Sequence, residues 1–190
     1  NDATHPGVLK MLAMGAGDDH QLHYFKKARI VPVAISYEYD PTDALKMPQL
    51  LAEANNEKYI KEKNEDFMTL LSGIMGQKKR IHIHIGKTLD TEIDDILAET
   101  DNTNKQIQAL AQKIDDSIIS NYRLWPTNFI AYDLLNQSAA FTHKYTDSEK
   151  QLFERRLELR IDANDPNQLQ SFLAMYANPV FNKLKYGTIE

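Results

Sequence analysis

The chain has no cysteine, which excludes a disulfide framework, thiolate zinc sites and a thiol nucleophile, and agrees with a reducing compartment. Glycine is scarce, seven in 190 residues, against a usual share of about 7%. Neither G-x-x-x-x-G-K-[ST] nor G-x-G-x-x-G occurs, so nucleotide-cradling loops lose their main support. The longest apolar run, Ile30 to Ile35, falls far short of the roughly 18 to 20 residues that a spanning helix needs. Basic charge is not in excess: 22 Lys+Arg against 27 Asp+Glu leave a net −5, which argues against general nucleic-acid binding. Neither a G-x-S-x-G elbow nor a Ser-His-Asp order is visible, so a hydrolase triad is unsupported. There is no initiator methionine or charged leader before Asn1, and Asn1 to Gly7 reads like the middle of a loop, a start set by processing or truncation.

What is present leans helical, with two exceptions. Arg29 to Glu38 is a nearly continuous β-branched run, the pattern of a strand buried on both faces of a parallel sheet, and Pro32 places that strand near an edge. Arg80 to Gly86 alternates strictly, with Ile81, Ile83 and Ile85 on one face and Arg80, His82 and His84 on the other; one face is core and the other wetter. Between them, Pro41 to Gly76 has helical periodicity broken near Pro48 and Asn55-Asn56, long enough for a crossover joining parallel strands. Pro6 to Gly17 reads as a short helix. Beyond Gly86 the pattern is helical throughout, with capping boxes at Thr103-x-x-Gln106 and Thr146-x-x-Glu149 and a third start at Asp165-Pro166 that Pro179 should stop or kink. The expected fold is α/β: residues 1–100 form the C-terminal part of a mixed sheet with flanking helices, and residues 101–190 an all-helical extension. Two strands do not make a stable open sheet, so further strands outside this chain are expected.

Few residues group into recognisable chemistry. His82 and His84 have the spacing by which a strand offers two imidazoles to one metal, but no third ligand is identifiable, and no metal is assigned. His20 and His23 carry the same discount, and Asp18-Asp19 beside His20 reads better as a solvated loop than as a polarised base. The clusters Lys26-Lys27-Ala28-Arg29 and Lys78-Lys79-Arg80 lie at one end of the sheet if the strands are parallel, where they could meet phosphates or an acidic carrier. The rule that open α/β sheets bind ligands at strand carboxyl ends favours Tyr37, Glu38 and Tyr39 after the first strand and Lys87 and Thr88 after the second. The acidic run Glu92 to Glu99 is an exposed helix face, and the aromatic segment around Trp125 fits packing where two helices meet better than a lipid interface.

Ile30-Val31-Pro32-Val33-Ala34-Ile35-Ser36-Tyr37-Glu38 resembles the fourth sequence block of the glycerol-phosphate and lysophosphatidate acyltransferases of phospholipid synthesis: an apolar strand with an internal proline, followed in the glycerol-3-phosphate branch by Tyr-Glu. Asp2 to Leu9 is similar to the tail of the block before it, and His84 to Leu89 to a later strand ending in glycine. The resemblance covers roughly residues 1 to 90. It implies transfer of a fatty acyl group from a coenzyme A or acyl-carrier-protein thioester to a glycerol-phosphate-type acceptor, without metal or other cofactor, by a cytoplasmic enzyme peripheral to the inner face of a membrane. The family's catalytic His-x-x-x-x-Asp is absent: five positions after the six histidines stand Lys10, Phe25, Ala28, Lys87, Leu89 and Ser148. The chain is therefore expected to be an inactive C-terminal portion with no catalytic residue of its own, contributing Tyr37, Glu38 and Lys87 to substrate binding. The alternative is a noncatalytic helical module for a protein partner or a membrane surface.

Overall fold

The computed structural model describes residues 3–17, 20–187 and 189. Among them the elements run α1 (Pro6–Ala13), α2 (Gln21–Ala28), β1 (Val33–Tyr37), α3 (Asp43–Ala54), α4 (Glu65–Met75), β2 (Ile81–Ile85), α5 (Asp90–Glu99), α6 (Thr103–Asn121), α7 (Pro126–Leu135), α8 (Asp147–Arg160) and α9 (Pro166–Lys185).

The expected mixed sheet with flanking helices is not what forms. The chain is mostly helical, 64%, with a two-stranded antiparallel sheet. The Glu38 N–H donates to the Arg80 carbonyl at 2.9 Å and the Gly86 N–H to the Pro32 carbonyl at 2.9 Å, so sequence order reverses across the pair. The connection through α3 and α4 is an excursion that returns antiparallel rather than a crossover. Both faces of β1 are apolar, which imitates a doubly buried parallel strand, yet only Ala34 is covered while Val33, Ile35 and Tyr37 point to solvent. The strand alternates after all, and alternation between two apolar faces cannot be seen in a hydropathy pattern. In β2 the isoleucine face is the exposed one and His82 and His84 are half-buried.

The chain folds into two compact units, residues 1–35 with 83–122 and residues 36–82 with 123–190. It passes between them at 35–36, 82–83 and 122–123, so each strand contributes to both. A division at residue 100 would fall between α5 and α6, which pack in the same unit.

The first unit is built on helical spacing. Leu22 and Phe25 of α2, Ile93 and Ile96 of α5, and Ile107, Leu110, Ala111 and Ile114 of α6 form one buried cluster with Leu9 and Ala13. Thr4 fastens the entering segment by donating its hydroxyl to Asp115 Oδ1 at 2.6 Å. α6 starts one residue earlier than its apparent box: Asn102 caps it, accepting the Lys105 N–H at 3.1 Å, while Gln106 donates to the Thr100 carbonyl.

The second unit centres on α7, α8 and α9, where Phe153, Phe172 and Tyr176 make an aromatic cluster with Ile130, Ala131, Leu157, Leu173 and Met47. The Thr146/Glu149 box caps α8 as its spacing predicts, and Asp165 caps α9. α3 runs through Pro48 and α9 through Pro179, so neither proline ends its helix. α4 is the exception to the packing rule, because none of its residues is buried.

Candidate functional site

In the second unit the segment after β1 is wired residue by residue. Glu38 is 1% exposed. Its carboxylate accepts Arg80 Nε at 2.7 Å, Arg80 Nη2 at 3.0 Å and Lys79 Nζ at 3.2 Å, and its carbonyl accepts the Thr127 hydroxyl at 2.8 Å. Burial alone would raise its carboxyl pKa, yet the hydrogen bonds and charges of Arg80 and Lys79 outweigh that and hold it below the usual glutamate value. Arg80 and Arg123 lie 5.1 and 4.8 Å from the ring of Trp125, which is buried at the start of α7, in keeping with the packing role read from its neighbourhood.

Two residues on, Asp40 begins the wall of an open cavity. Its carboxylate accepts the Thr42 N–H and hydroxyl at 2.8 Å each and Lys46 Nζ at 2.5 Å. Burial acts to raise its pKa, and the Lys46 and Thr42 contacts prevail and lower it. The Asp40 N–H donates to the Tyr176 hydroxyl at 3.0 Å, and that hydroxyl donates to Asp43 Oδ2 at 2.9 Å. Burial first, and then the Asp43 carboxylate, push the Tyr176 phenol well above its ordinary range. Asp43 is fully buried, its Oδ2 taking both Arg156 Nη2 at 2.7 Å and Nε at 2.8 Å, and Arg156 reaches back to the Asp40 carbonyl at 2.9 Å. Asn128 ties α7 to α9 by donating to the Tyr176 carbonyl at 2.9 Å.

The cavity, about 510 Å³, has polar Asp40, Thr42, Lys46 and Asn128 and apolar Leu70, Ile74, Met175, Pro41 and Pro179 in its lining, with Tyr37 and Tyr176. Polar and apolar side chains mix in its lining, and its one lysine, Lys46, is held by the Asp40 carboxylate. A second cleft, about 550 Å³, lies within the first unit, where Lys87 joins His84, Lys113, Ser117 and the carboxylates of Glu92 and Asp116.

The residues expected at the site are thus separated. Tyr37 lines the cavity of the second unit, Glu38 is buried with both carboxylate oxygens occupied, and Lys87 lines the cleft of the first unit. An antiparallel pair puts strand carboxyl ends at opposite ends of the ribbon, so the strand-end rule had no single site to point to. The two basic clusters part for the same reason. Lys26 pairs with Asp94 at 2.6 Å, and Lys79 and Arg80 serve Glu38. Asp18 and Asp19 lie outside the described residues, and the rings of His20 and His23 lie 5.2 Å apart, tilted by 53°. Among the described residues no group of three His, Cys, Asp or Glu could hold a metal.

Sequence reasoning missed Asp43, Arg156 and Tyr176. Arg156 sits in a charged helix that looks solvated, but it follows Phe153 by three positions and precedes Leu157, which places it on the apolar face. Together these features define a mostly helical, two-unit protein with a cavity of mixed polar and apolar lining in the second unit. No family model, curated protein or solved structure matches the chain.

Proposed function

We propose that these residues are the C-terminal portion of an acyltransferase that carries a fatty acyl group from an acyl-coenzyme A or acyl-carrier-protein thioester to a glycerol-phosphate-type hydroxyl, and that this portion alone is inactive. In the reaction the acceptor oxygen attacks the thioester carbonyl, the carbon–sulfur bond breaks and an ester forms, while a base takes the hydroxyl proton. This sequence has no His-x-x-x-x-Asp to act as that base.

The observation that carries the reading is the block Ile30 to Glu38, an apolar run with Pro32 just ahead of β1 and Tyr-Glu at its end. The cavity beside Tyr37 supports it, with Leu70, Ile74 and Met175 in its lining for an acyl chain. So does the outward face of the ribbon: Val33, Ile35, Ile83 and Ile85 of the first unit are exposed, a surface that a larger enzyme would cover. Glu38 then sets the strand end and Tyr37 meets substrate. Lys87 keeps its proposed contact role at the first-unit cleft, where Lys113 is its basic neighbour. The enzyme works at the cytoplasmic face of a membrane.

The test is the protein extended upstream of Asn1. A His-x-x-x-x-Asp within about 150 residues, a domain-length prior, together with transfer of labelled palmitate from palmitoyl-coenzyme A or palmitoyl-carrier protein to glycerol 3-phosphate, is the expected result. An upstream sequence without that pair, or no transfer from either donor, removes the reading and leaves a noncatalytic module.

A further inference from the structure

Among the α-helices of the second unit α4 alone has no buried residue; α3, α7, α8 and α9 each bury two or more. Its polar bonds stay local. The Tyr59 hydroxyl donates to Glu65 Oε2 at 2.8 Å, Lys61 pairs with Asp66 at 2.6 Å, and Lys78 Nζ donates to the Ile74 carbonyl at 3.0 Å. Among the described residues, no hydrogen bond or ion pair joins residues 58–77 to any residue outside 57–78. Left-handed residues stand on both flanks: Asn56 (φ 56°) and Asn64 (φ 69°) before the helix, Lys79 (φ 57°) after it. Hinges form at such loop and element-terminal positions, and a helix with so few buried contacts belongs to the low-stability end of a fold.

This loosely held helix is also a wall of the cavity. Thr69, Leu70, Gly73 and Ile74 belong to the lining, yet Leu70 and Ile74 are 63% and 69% exposed, so the cavity stays open to water along α4. Its volume, about 510 Å³, is that of a small-molecule site, for which about 300–1,000 Å³ is usual. Charge narrows the occupant: the two charged side chains of the lining, Asp40 and Lys46, pair with each other, which leaves an uncharged, largely apolar group as the one that fits.

We infer that α4 is a lid, which closes over the cavity when an acyl chain lies in it and so takes Leu70 and Ile74 out of water. Without a chain the closed position has nothing apolar to bury these side chains against; with one, closure gains the hydrophobic contact that the open position lacks, and the population shifts by that difference. The choice of an acyl chain rests on the acyltransferase reading, whose cavity this is, while the loose attachment of α4 stands apart from it.

The test uses the 190-residue chain, palmitate as the probe, and amide hydrogen exchange. Without palmitate the amides of α4 should exchange at least a hundredfold faster than those of α7 and α9; saturating palmitate should slow them at least tenfold and leave those of α5, in the first unit, as they were. Leu70→Ser/Ile74→Ser should weaken palmitate binding at least tenfold and abolish the slowing. Leu159→Ser, at an exposed leucine on α8, should change neither. Unaltered fluorescence of Trp125, the chain's single tryptophan, reports that each variant keeps its fold. Amides of α4 as protected as those of α7 and α9 without palmitate, palmitate bound with no slowing in α4, no palmitate binding, or equal losses in Leu159→Ser would each overturn the lid. If the extended protein transfers no acyl group while palmitate still slows α4, the parent reaction alone is lost; transfer with α4 unmoved by palmitate loses the lid alone.

Discussion

Replacing Glu38 by glutamine tests whether the Tyr-Glu pair ends in a structural anchor. The substitution keeps the shape but removes the charge, and its amide can turn donors toward Arg80 and Lys79. Three hydrogen bonds of 2.7, 3.0 and 3.2 Å are weakened or lost. Bonds to charged groups contribute about 1.5–3 kcal/mol each, but the Arg80 side chain is 49% exposed and recovers water, so the net loss is about 2–3 kcal/mol after discounting for solvation. With a urea dependence of about 2 kcal/mol per molar, the unfolding midpoint should fall by about 1–1.5 M. Trp125 supplies the signal, since it is the single tryptophan, lies buried in the same unit and carries Arg80 against its ring.

The same experiment across pH separates charge from shape. Glu38 titrates below its ordinary value of 4.5 in the folded protein and regains that value on unfolding. Its contribution is therefore complete above the unfolded value and drains away as pH falls through the lower folded one. The gap between wild type and Glu38→Gln should be full at pH 7 and shrink on acidification below that window. A midpoint change smaller than about 0.3 M at pH 7, or a gap that persists unchanged into acid, refutes the anchor.

The Asp43–Arg156 pair is a second target. Arg156→Met leaves a fully buried carboxylate without its main partner and should cost about 3–5 kcal/mol in urea unfolding. Asp43→Leu/Arg156→Met together should cost clearly less than Arg156→Met, and a larger loss in the double variant contradicts the burial argument. At Gly76 a Cβ would stand 2.5 Å from the Ser72 carbonyl oxygen and 2.6 Å from Pro41 Cβ. Gly76→Ala should therefore lower stability by about 1–3 kcal/mol, and an unchanged midpoint would show that the close approach relaxes freely.

How much could be read beforehand depended on whether a signal was local. The caps at Thr146 and Asp165, the helices beyond Gly86 and the two strands are local and could be read. The α6 cap slipped by one residue because Asn102 and Thr103 are both good capping types, and spacing alone cannot choose between them. Strand direction was misread because it depends on where the connection returns, not on residues within the strands. Pro48 reads as a break and Pro179 as a stop or kink, but α3 continues through the first and α9 through the second. At the candidate site Tyr37 could be picked out and its surroundings could not: Lys46, Asn128 and Tyr176 come from three helices, and only folding puts them around one cavity.

The interleaved order of the two units shapes how the chain can assemble during synthesis. Residues 1–35 leave the ribosome with an apolar cluster they cannot close until 83–122 follow, because α5 and α6 supply most of its partners. The intervening 36–82 must wait longer still, since the helices they pack against begin at Pro126 and end at Lys185. Nascent intermediates therefore expose α1, α2 and α3 together, and a holding chaperone would be engaged at that stage rather than after release.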